Sequence, residues 1–170
     1  MNQMFQNKAV FKFLLTAILI FVLTILQTTV IQGIEVFHVI PNLLLITVVC
    51  YSLLHGDYSA LVVGVVCGFL LDINGGRVVG MNALLCTVLA YVCICVSGSL
   101  YSNNGLIAMI FVLIFSLFYE LIVYIFYFAI WGQGAFFYAL FCKILPAAVY
   151  NGLATILLYP LVRRLTVFNQ

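Results

Sequence analysis

Apolar runs of helical length follow one another along this chain and are separated by short polar breaks. The breaks are rich in turn-forming residues, as in HGDY at 55–58 and SGSLYSNNG at 97–105. Because about 20 apolar residues are needed to cross the hydrocarbon core of a bilayer, the pattern predicts about six transmembrane helices. Their predicted bounds are 13–31, 36–54, 58–71, 81–96, 106–130 and 136–162.

The second and third segments are short for a simple crossing. A run of about 14 helical residues extends only about 21 Å, against a hydrocarbon core of about 30 Å. The sequence therefore leaves two alternatives for residues 36–72, either short tilted helices or a re-entrant hairpin that enters and leaves on one side. Both alternatives keep the number of crossings even.

The overall composition indicates the class of protein. Of the 170 residues, 67% are hydrophobic and 6% are charged, and the mean hydropathy is +1.33. A soluble domain has roughly a quarter of its residues charged, and no stretch here is polar enough to fold separately in water. The sequence therefore predicts a single all-α, polytopic integral membrane domain over residues 1–170.

Basic residues near the segment ends predict the orientation. Lys8 and Lys12 precede the first segment, and Arg163 and Arg164 follow the last. Because basic residues favour the cytoplasmic side, both termini are predicted to be cytoplasmic, with Arg77 as the basic residue of the outer loops. The first segment lacks a small-residue cleavage pattern and is interpreted as an uncleaved helix. An outer aromatic belt is predicted at Trp131, Phe136, Phe137 and Tyr138.

Residue types that carry out catalysis or bind metals are not grouped in this sequence. The two histidines, His38 and His55, lie at segment ends, and there is no HxxxH pattern and no phosphate-binding glycine loop. The cysteines lie in apolar segments without a CxxC pair and are predicted to be small core residues. They are Cys50, Cys67, Cys86, Cys93, Cys95 and Cys142. The sequence thus predicts no enzyme, metal, cofactor or nucleic-acid site.

A stripe of small residues precedes a carboxylate in GVVCGFLLDINGGRVVG at 64–80. On a helix, Gly64, Gly68 and Asp72 share one face, and small residues at this spacing allow close approach of another backbone. The favoured interpretation is a helix-packing groove whose outer end is capped or anchored by Asp72. In the alternative, Asp72 and Arg77 face a partner or a cavity.

Two charged residues, Glu120 and Lys143, lie well inside apolar segments, where an isolated charge costs about 3 kcal/mol or more. Measured from the outer ends of the fifth and sixth segments, their depths are about 15 and 12 Å, so the two can meet across antiparallel helices. The favoured interpretation is a buried structural pair. The alternative is a role with a substrate, a proton or a partner.

The last segment contains two further candidates, Pro146 and Asn151. Pro146 removes a backbone donor and frees a carbonyl, which other polar groups can satisfy inside a protein-lined site. Asn151 is interpreted as an interhelical hydrogen-bonding residue, or else as part of a polar contact site.

Four stretches together resemble a known family. They are PNLLLI at 41–46, the run at 64–80, LPAAVYN at 145–151 and YPLVRR at 159–164. Their order and spacing, with the hydropathy profile and the chain length, resemble the MreD family of rod shape-determining proteins. The positions that match the family pattern are Pro41, Asn42, Gly64, Gly68, Asp72, Gly80, Pro146 and Asn151.

The resemblance implies a non-enzymatic scaffold of the cell-elongation machinery in the bacterial inner membrane. The implied direct partner is MreC, and the wider complex includes RodA, its transpeptidase and MreB. The resemblance also implies a fold similar to the substrate-binding subunits of energy-coupling-factor vitamin transporters, and membrane lipids are further candidate partners.

Two hypotheses follow for the functional surface. In the scaffold hypothesis, the groove at Gly64 and Gly68 receives the single transmembrane helix of MreC, and Asp72 sets its depth. In the transporter alternative, Glu120, Lys143, Tyr150 and Asn151 build a polar pocket near the outer side, because small-ligand sites combine apolar walls with a few polar groups.

Overall fold

The computed structural model describes residues 2–29, 40–75, 78–100, 104–131 and 136–167 and is helical throughout these ranges, apart from short turns. The first five helices are α1 (Asn2–Thr29), α2 (Leu43–His55), α3 (Ser59–Gly75), α4 (Met81–Leu100) and α5 (Gly105–Trp131). The sixth, α6, has three consecutive parts: Phe136–Ala139, a π-helical turn at Leu140–Ile144, and Leu145–Val167. The all-α prediction is confirmed. His38 and Arg77 lie outside the described residues.

The apolar stretches of the helices fall into two length classes. Two apolar stretches, Gly105–Phe126 in α5 and Phe136–Leu165 in α6, are long enough to cross a membrane. The shorter apolar stretches of the described chain are Phe13–Thr29, Leu43–His55, Ser59–Gly75 and Met81–Ser97. At 1.5 Å per residue, the 13 residues of α2 extend only about 20 Å.

The start of α2 differs from the sequence-based prediction. The helix begins at Leu43 instead of 36, because Asn42 is its N-cap and accepts a hydrogen bond from the Leu45 N–H at 3.0 Å. Pro41 directly precedes this cap, and the residue before a proline is disfavoured in a helix. At its other end, α2 terminates at Gly56, which adopts a φ of +63°.

The short helix α2 is the centre of the bundle. Its residues from Leu43 to Leu53 are all buried, and it contacts each of the other five helices. A helix that is apolar all round is stable only when its whole surface is covered. Around it, α3 pairs closely with α4, and α5 pairs closely with α6. The candidate functional residues lie in these two helix pairs, α3–α4 and α5–α6, and at the start of α2.

Candidate functional site

The glycines of α3 lie directly against the backbone of α4. A Cβ atom added to Gly68 would collide with Ala83 Cα and lie 2.5 Å from the Asn82 carbonyl oxygen. A Cβ atom on Gly64 would lie 3.0 Å from the Cys86 carbonyl oxygen. Only residues without a side chain allow two helices to approach this closely. The small-residue stripe is therefore the contact surface between α3 and α4.

This packing corrects the hypothesis that the stripe receives a helix of another protein. Gly64 and Gly68 are both buried within the chain, because α4 covers the face on which they lie. A second helix cannot occupy the same groove without displacing α4. Any partner surface must lie elsewhere on the bundle.

The carboxylate of Asp72 caps the N-terminus of α4. Its Oδ2 accepts the N–H groups of Gly80 at 3.0 Å and Ala83 at 3.1 Å, and its Oδ1 accepts the N–H of Asn82 at 3.1 Å. The first N–H groups of a helix have no partner within it, and the positive end of its dipole favours an anion. Asp72 is only 5% exposed, so little water reaches its carboxylate. These three hydrogen bonds stabilise the carboxylate inside a largely apolar bundle.

A hydrogen bond continues this network from α4 into α5. The hydroxyl of Tyr119 donates to Asn82 Oδ1 at 2.7 Å, and both residues are buried. Asn82 thus donates its backbone N–H to Asp72 and accepts from Tyr119. Neither Asn82 nor Tyr119 was predicted from the sequence as a site residue. The available signal was an amide side chain in an apolar helix, which commonly bonds to a neighbouring helix.

A second polar network surrounds the start of α2. Asn151 on α6 accepts the N–H of Asn42 at 2.7 Å through Oδ1 and donates through Nδ2 to Ser116 Oγ at 2.6 Å. On the opposite side, Gln27 of α1 accepts the N–H of Leu44 at 3.2 Å. Gln27 of α1, Asn151 of α6 and the N-cap Asn42 therefore supply partners for the N–H groups at the start of α2, and Ser116 of α5 bonds to Asn151. We call this group of Gln27, Asn42, Ser116 and Asn151 the α2 cap network.

The α2 cap network lies deep within the bundle. Ser116 follows the start of α5 by about 16 Å along the helix, and Asn151 is about 22 Å beyond the start of α6. Both residues are therefore near the middle of their helices, α5 and α6. A helix terminus at this depth needs protein partners for its free N–H groups, because a bilayer core offers none.

Replacement of Asn151 tests the contribution of this network. Asn151→Leu leaves the Asn42 N–H without its acceptor in the interior, and an unpaired buried group costs about 1–3 kcal/mol. We expect the melting temperature of the purified chain in detergent to fall by about 5–10 °C. Asn74→Leu, on the exposed end of α3, is the matched control and is expected to leave the melting temperature unchanged. Equal melting temperatures for the two variants would contradict this role.

The π-helical turn in α6 ends at Ile144, two residues before Pro146. The N–H of Leu145 donates to the carbonyl of Leu140, five residues earlier, so the helix is wider here than an ordinary α-helix. Pro146 has no N–H and its ring clashes with the carbonyl that an α-helix would place beside it. The widened turn accommodates the proline without breaking α6.

The charged residues Glu120 and Lys143 interact but do not form the buried pair that was predicted. Glu120 of α5 and Lys143 of α6 lie in one region of the α5–α6 pair. Glu120 is half-buried, Lys143 is exposed, and no direct ion pair joins them. The prediction was wrong for Lys143 because α6 turns its neighbour Ile144, which is 2% exposed, toward the interior.

The described part of the chain holds no cluster of His, Cys, Asp and Glu residues that could bind a metal ion. Four cysteines are buried and free, as expected for small core residues, namely Cys50, Cys67, Cys86 and Cys93. Cys95 and Cys142 are exposed, which corrects the prediction that all six belong to the core. Every fully buried side-chain nitrogen and oxygen of the described residues has a hydrogen-bond partner. Some of these groups join helices, whereas Thr47, Ser52 and Thr155 bond to a carbonyl of their own helix.

The family model of the rod shape-determining protein MreD matches residues 7–168 of the 170-residue chain. The chain belongs to the MreD family. MreD proteins act in rod shape determination and are not a known enzyme family. No curated protein and no solved structure matches the chain. The MreD match extends over α3, α4 and the α2 cap network, and it confirms the family resemblance of the sequence.

Proposed function

We propose that this chain is a non-enzymatic membrane scaffold of the cell-elongation machinery, which binds MreC and supports lateral peptidoglycan synthesis. Membership of the MreD family supports a role in cell shape. The observation that carries the proposal is the use of polar side chains inside the bundle. Asp72, Asn82 and Asn151 bond to neighbouring helices or their backbone, while large apolar side chains are exposed along five of the helices.

The proposed location is the bacterial inner membrane, with several crossings and both termini in the cytoplasm. Large apolar side chains are exposed on α1, α3, α4, α5 and α6, and lipid is the solvent in which such surfaces are stable. Arg163 and Arg164 are exposed at the end of α6, and because basic residues favour the cytoplasmic side, we assign this end to the cytoplasm. In this placement, α2 begins near the middle of the bilayer and is surrounded by protein.

A groove between α1 and α3 is the surface that we assign to the transmembrane helix of MreC. It has a volume of about 230 Å³, and Thr16, Ile20 and Val63 are its buried residues. Exposed residues of both helices form its walls, among them Phe21, Val62 and Val66. No charged side chain lines it. A partner helix can therefore pack against it without desolvating a charge.

Filling the groove tests this assignment. The double change Val62→Trp and Val66→Trp places bulky rings where a helix would pack, so we expect recovery of MreC with the tagged chain to fall about ten-fold, or about 1.4 kcal/mol. The measurement is a mild-detergent pull-down followed by quantitative mass spectrometry. Val88→Trp, at an exposed position of α4, is the control and is expected to retain MreC.

The outcomes of the pull-down separate the function from the location of the contact. Recovery of MreC with the unaltered chain and loss with the groove variant supports both. Recovery of MreC with every variant would contradict the assignment of the α1–α3 groove but would agree with the scaffold function. Recovery of an ATPase module with a stoichiometric small molecule, and no wall-synthesis proteins, would overturn the scaffold.

The vitamin-transporter alternative has less support. Its predicted pocket relied on Asn151, but the side chain of Asn151 already bonds to Asn42 and Ser116. The two grooves described for the bundle are lined almost entirely by apolar side chains. A vitamin site needs placed polar groups within such walls. The scaffold function is therefore the better account of this geometry.

A further inference from the structure

A second groove lies between α5 and the first half of α6. It has a volume of about 310 Å³, and every residue that lines it is apolar. Ile114, Leu117 and Leu121 contribute the α5 wall, and Leu140 and Leu145 belong to the α6 wall. Leu140 belongs to the π-helical turn and Leu145 directly follows it. The widened part of α6 therefore forms one side of the groove.

The exposed charge of Lys143 lies on the same π-helical turn. Lys143 is one residue before Ile144, which lines the groove, and its side chain is exposed without a direct ion pair. Glu120 is the acidic residue of α5 in the same region. An exposed lysine beside an apolar groove provides a cation next to a place for a hydrocarbon chain.

The depth of Lys143 fits a position just below a membrane interface. It follows the start of α6 at Phe136 by seven residues, or about 10 Å. Phe136, Phe137 and Tyr138 are exposed at that start, where aromatic rings favour the interface. The aliphatic part of a lysine side chain can extend toward the interface and bring its ammonium group to the headgroups.

The groove runs from this depth toward the middle of the bundle. Near its outer limit the ring of Tyr124 contacts the ring of Phe136, with centroids 5.9 Å apart. Near its inner limit Ser116 bonds to Asn151. A molecule whose phosphate meets Lys143 would therefore direct its acyl chain inward along the groove.

We propose that Lys143 and the α5–α6 groove form a binding site for an anionic phospholipid. The lipid lies in the membrane leaflet beside the end of the bundle at which α5 ends and α6 begins. Its phosphate group pairs with the Lys143 ammonium, and one acyl chain lies between Leu117 and Leu145. Glu120 lies on the inner side of Lys143, so the ammonium group must turn away from it to meet the phosphate. The site rests on the membrane placement given under the proposed function.

The experiment uses the full chain purified in mild detergent and mixed with phosphatidylglycerol or phosphatidylcholine. Native mass spectrometry measures the bound lipid. For Lys143→Gln, we expect the preference for phosphatidylglycerol to fall about five-fold, the contribution of one basic residue near an anionic surface. Arg163→Gln is the matched control, because it removes an exposed basic residue at the opposite end of α6. It is expected to lower the preference much less.

A photoreactive phosphatidylglycerol, with the reactive group in its acyl chain, tests the position of the lipid. Labelling is expected in peptides that contain 114–121 and 140–145, with loss of labelling when Leu117→Trp fills the groove. An unchanged preference in Lys143→Gln, an equal loss in Arg163→Gln, or labelling confined to other helices would overturn the site. Cross-linking of the groove to a partner helix in cells would overturn the lipid as its occupant.

The lipid site and the proposed scaffold fail in different ways. Lys143→Gln is expected to retain MreC in the pull-down, because the assigned α1–α3 groove does not include Lys143. If the unaltered chain retains MreC but shows no preference for phosphatidylglycerol, only the lipid site is overturned. Release of the unaltered chain from membranes by alkaline carbonate would overturn the membrane placement on which both depend.

Discussion

Replacing Gly68 with alanine is expected to lower the free energy of unfolding by about 3 kcal/mol, because the added Cβ has no space to enter. It would collide with the backbone of α4 at Ala83 and at the Asn82 carbonyl oxygen. Backbone atoms cannot change rotamer to relieve the contact, so α3 and α4 must separate. The expected fall in melting temperature in detergent is about 6–12 °C.

The same helix offers graded controls. A Cβ on Gly64 would lie 3.0 Å from a carbonyl oxygen, and a Cβ on Gly75 would have no neighbour within 4 Å. We therefore expect the loss of stability to follow the order Gly68→Ala, then Gly64→Ala, then Gly75→Ala. Because alanine favours a helix more than glycine does, Gly75→Ala should be neutral or slightly stabilising. Equal effects at all three positions would contradict close α3–α4 packing.

Replacing Asp72 with alanine is expected to destabilise the chain by about 4 kcal/mol, since hydrogen bonds to a charged group contribute about 1.5–3 kcal/mol each and do not add fully. The change removes the acceptor of three N–H groups at the start of α4. Asp72→Asn is expected to have an intermediate effect, because the amide keeps one acceptor oxygen and turns an NH2 group toward the remaining donors. Thermal unfolding in detergent measures both variants.

Asp57 provides the comparison for Asp72. It also accepts a backbone N–H, from Ser59 at the start of α3, but it is exposed. Water can replace an exposed cap, so Asp57→Ala should cost only about 1 kcal/mol. If Asp57→Ala and Asp72→Ala lowered the melting temperature equally, the buried cap would not have the role assigned to it.

The sequence allowed the helices to be predicted because apolar runs and turn residues act locally. It also indicated a close-packed stripe ending in a carboxylate at Gly64, Gly68 and Asp72. Spacing cannot reveal which helix covers such a stripe, and the covering helix belongs to the same chain. The sequence also contains a signal for the start of α2, but the apolar residues before it led to an earlier predicted start. Pro41 followed by Asn42 marks a helix start, but the preceding residues extend the apolar pattern.

The long-range features could not be predicted from local patterns. An interhelical role was predicted for Asn151, but its bond to the Asn42 N–H joins residues 109 positions apart. The exposed Lys143 lies in the π-helical turn before Pro146, and wide turns have no simple sequence period. Prediction therefore succeeded where neighbours in sequence decide the structure and failed where the bundle decides it.

The α2 cap network has a consequence for biogenesis. Gln27 and Asn42 are synthesised before or with α2, whereas Asn151 follows Asn42 by 109 residues. At a synthesis rate of about 5–20 residues per second, that interval lasts on the order of 5–20 s. Until α6 enters the membrane, the nascent chain contains a central helix with an incomplete cap and uncovered sides. A product of translation that stops before α6 thus lacks both the acceptor of the Asn42 N–H and the helix that covers one side of α2.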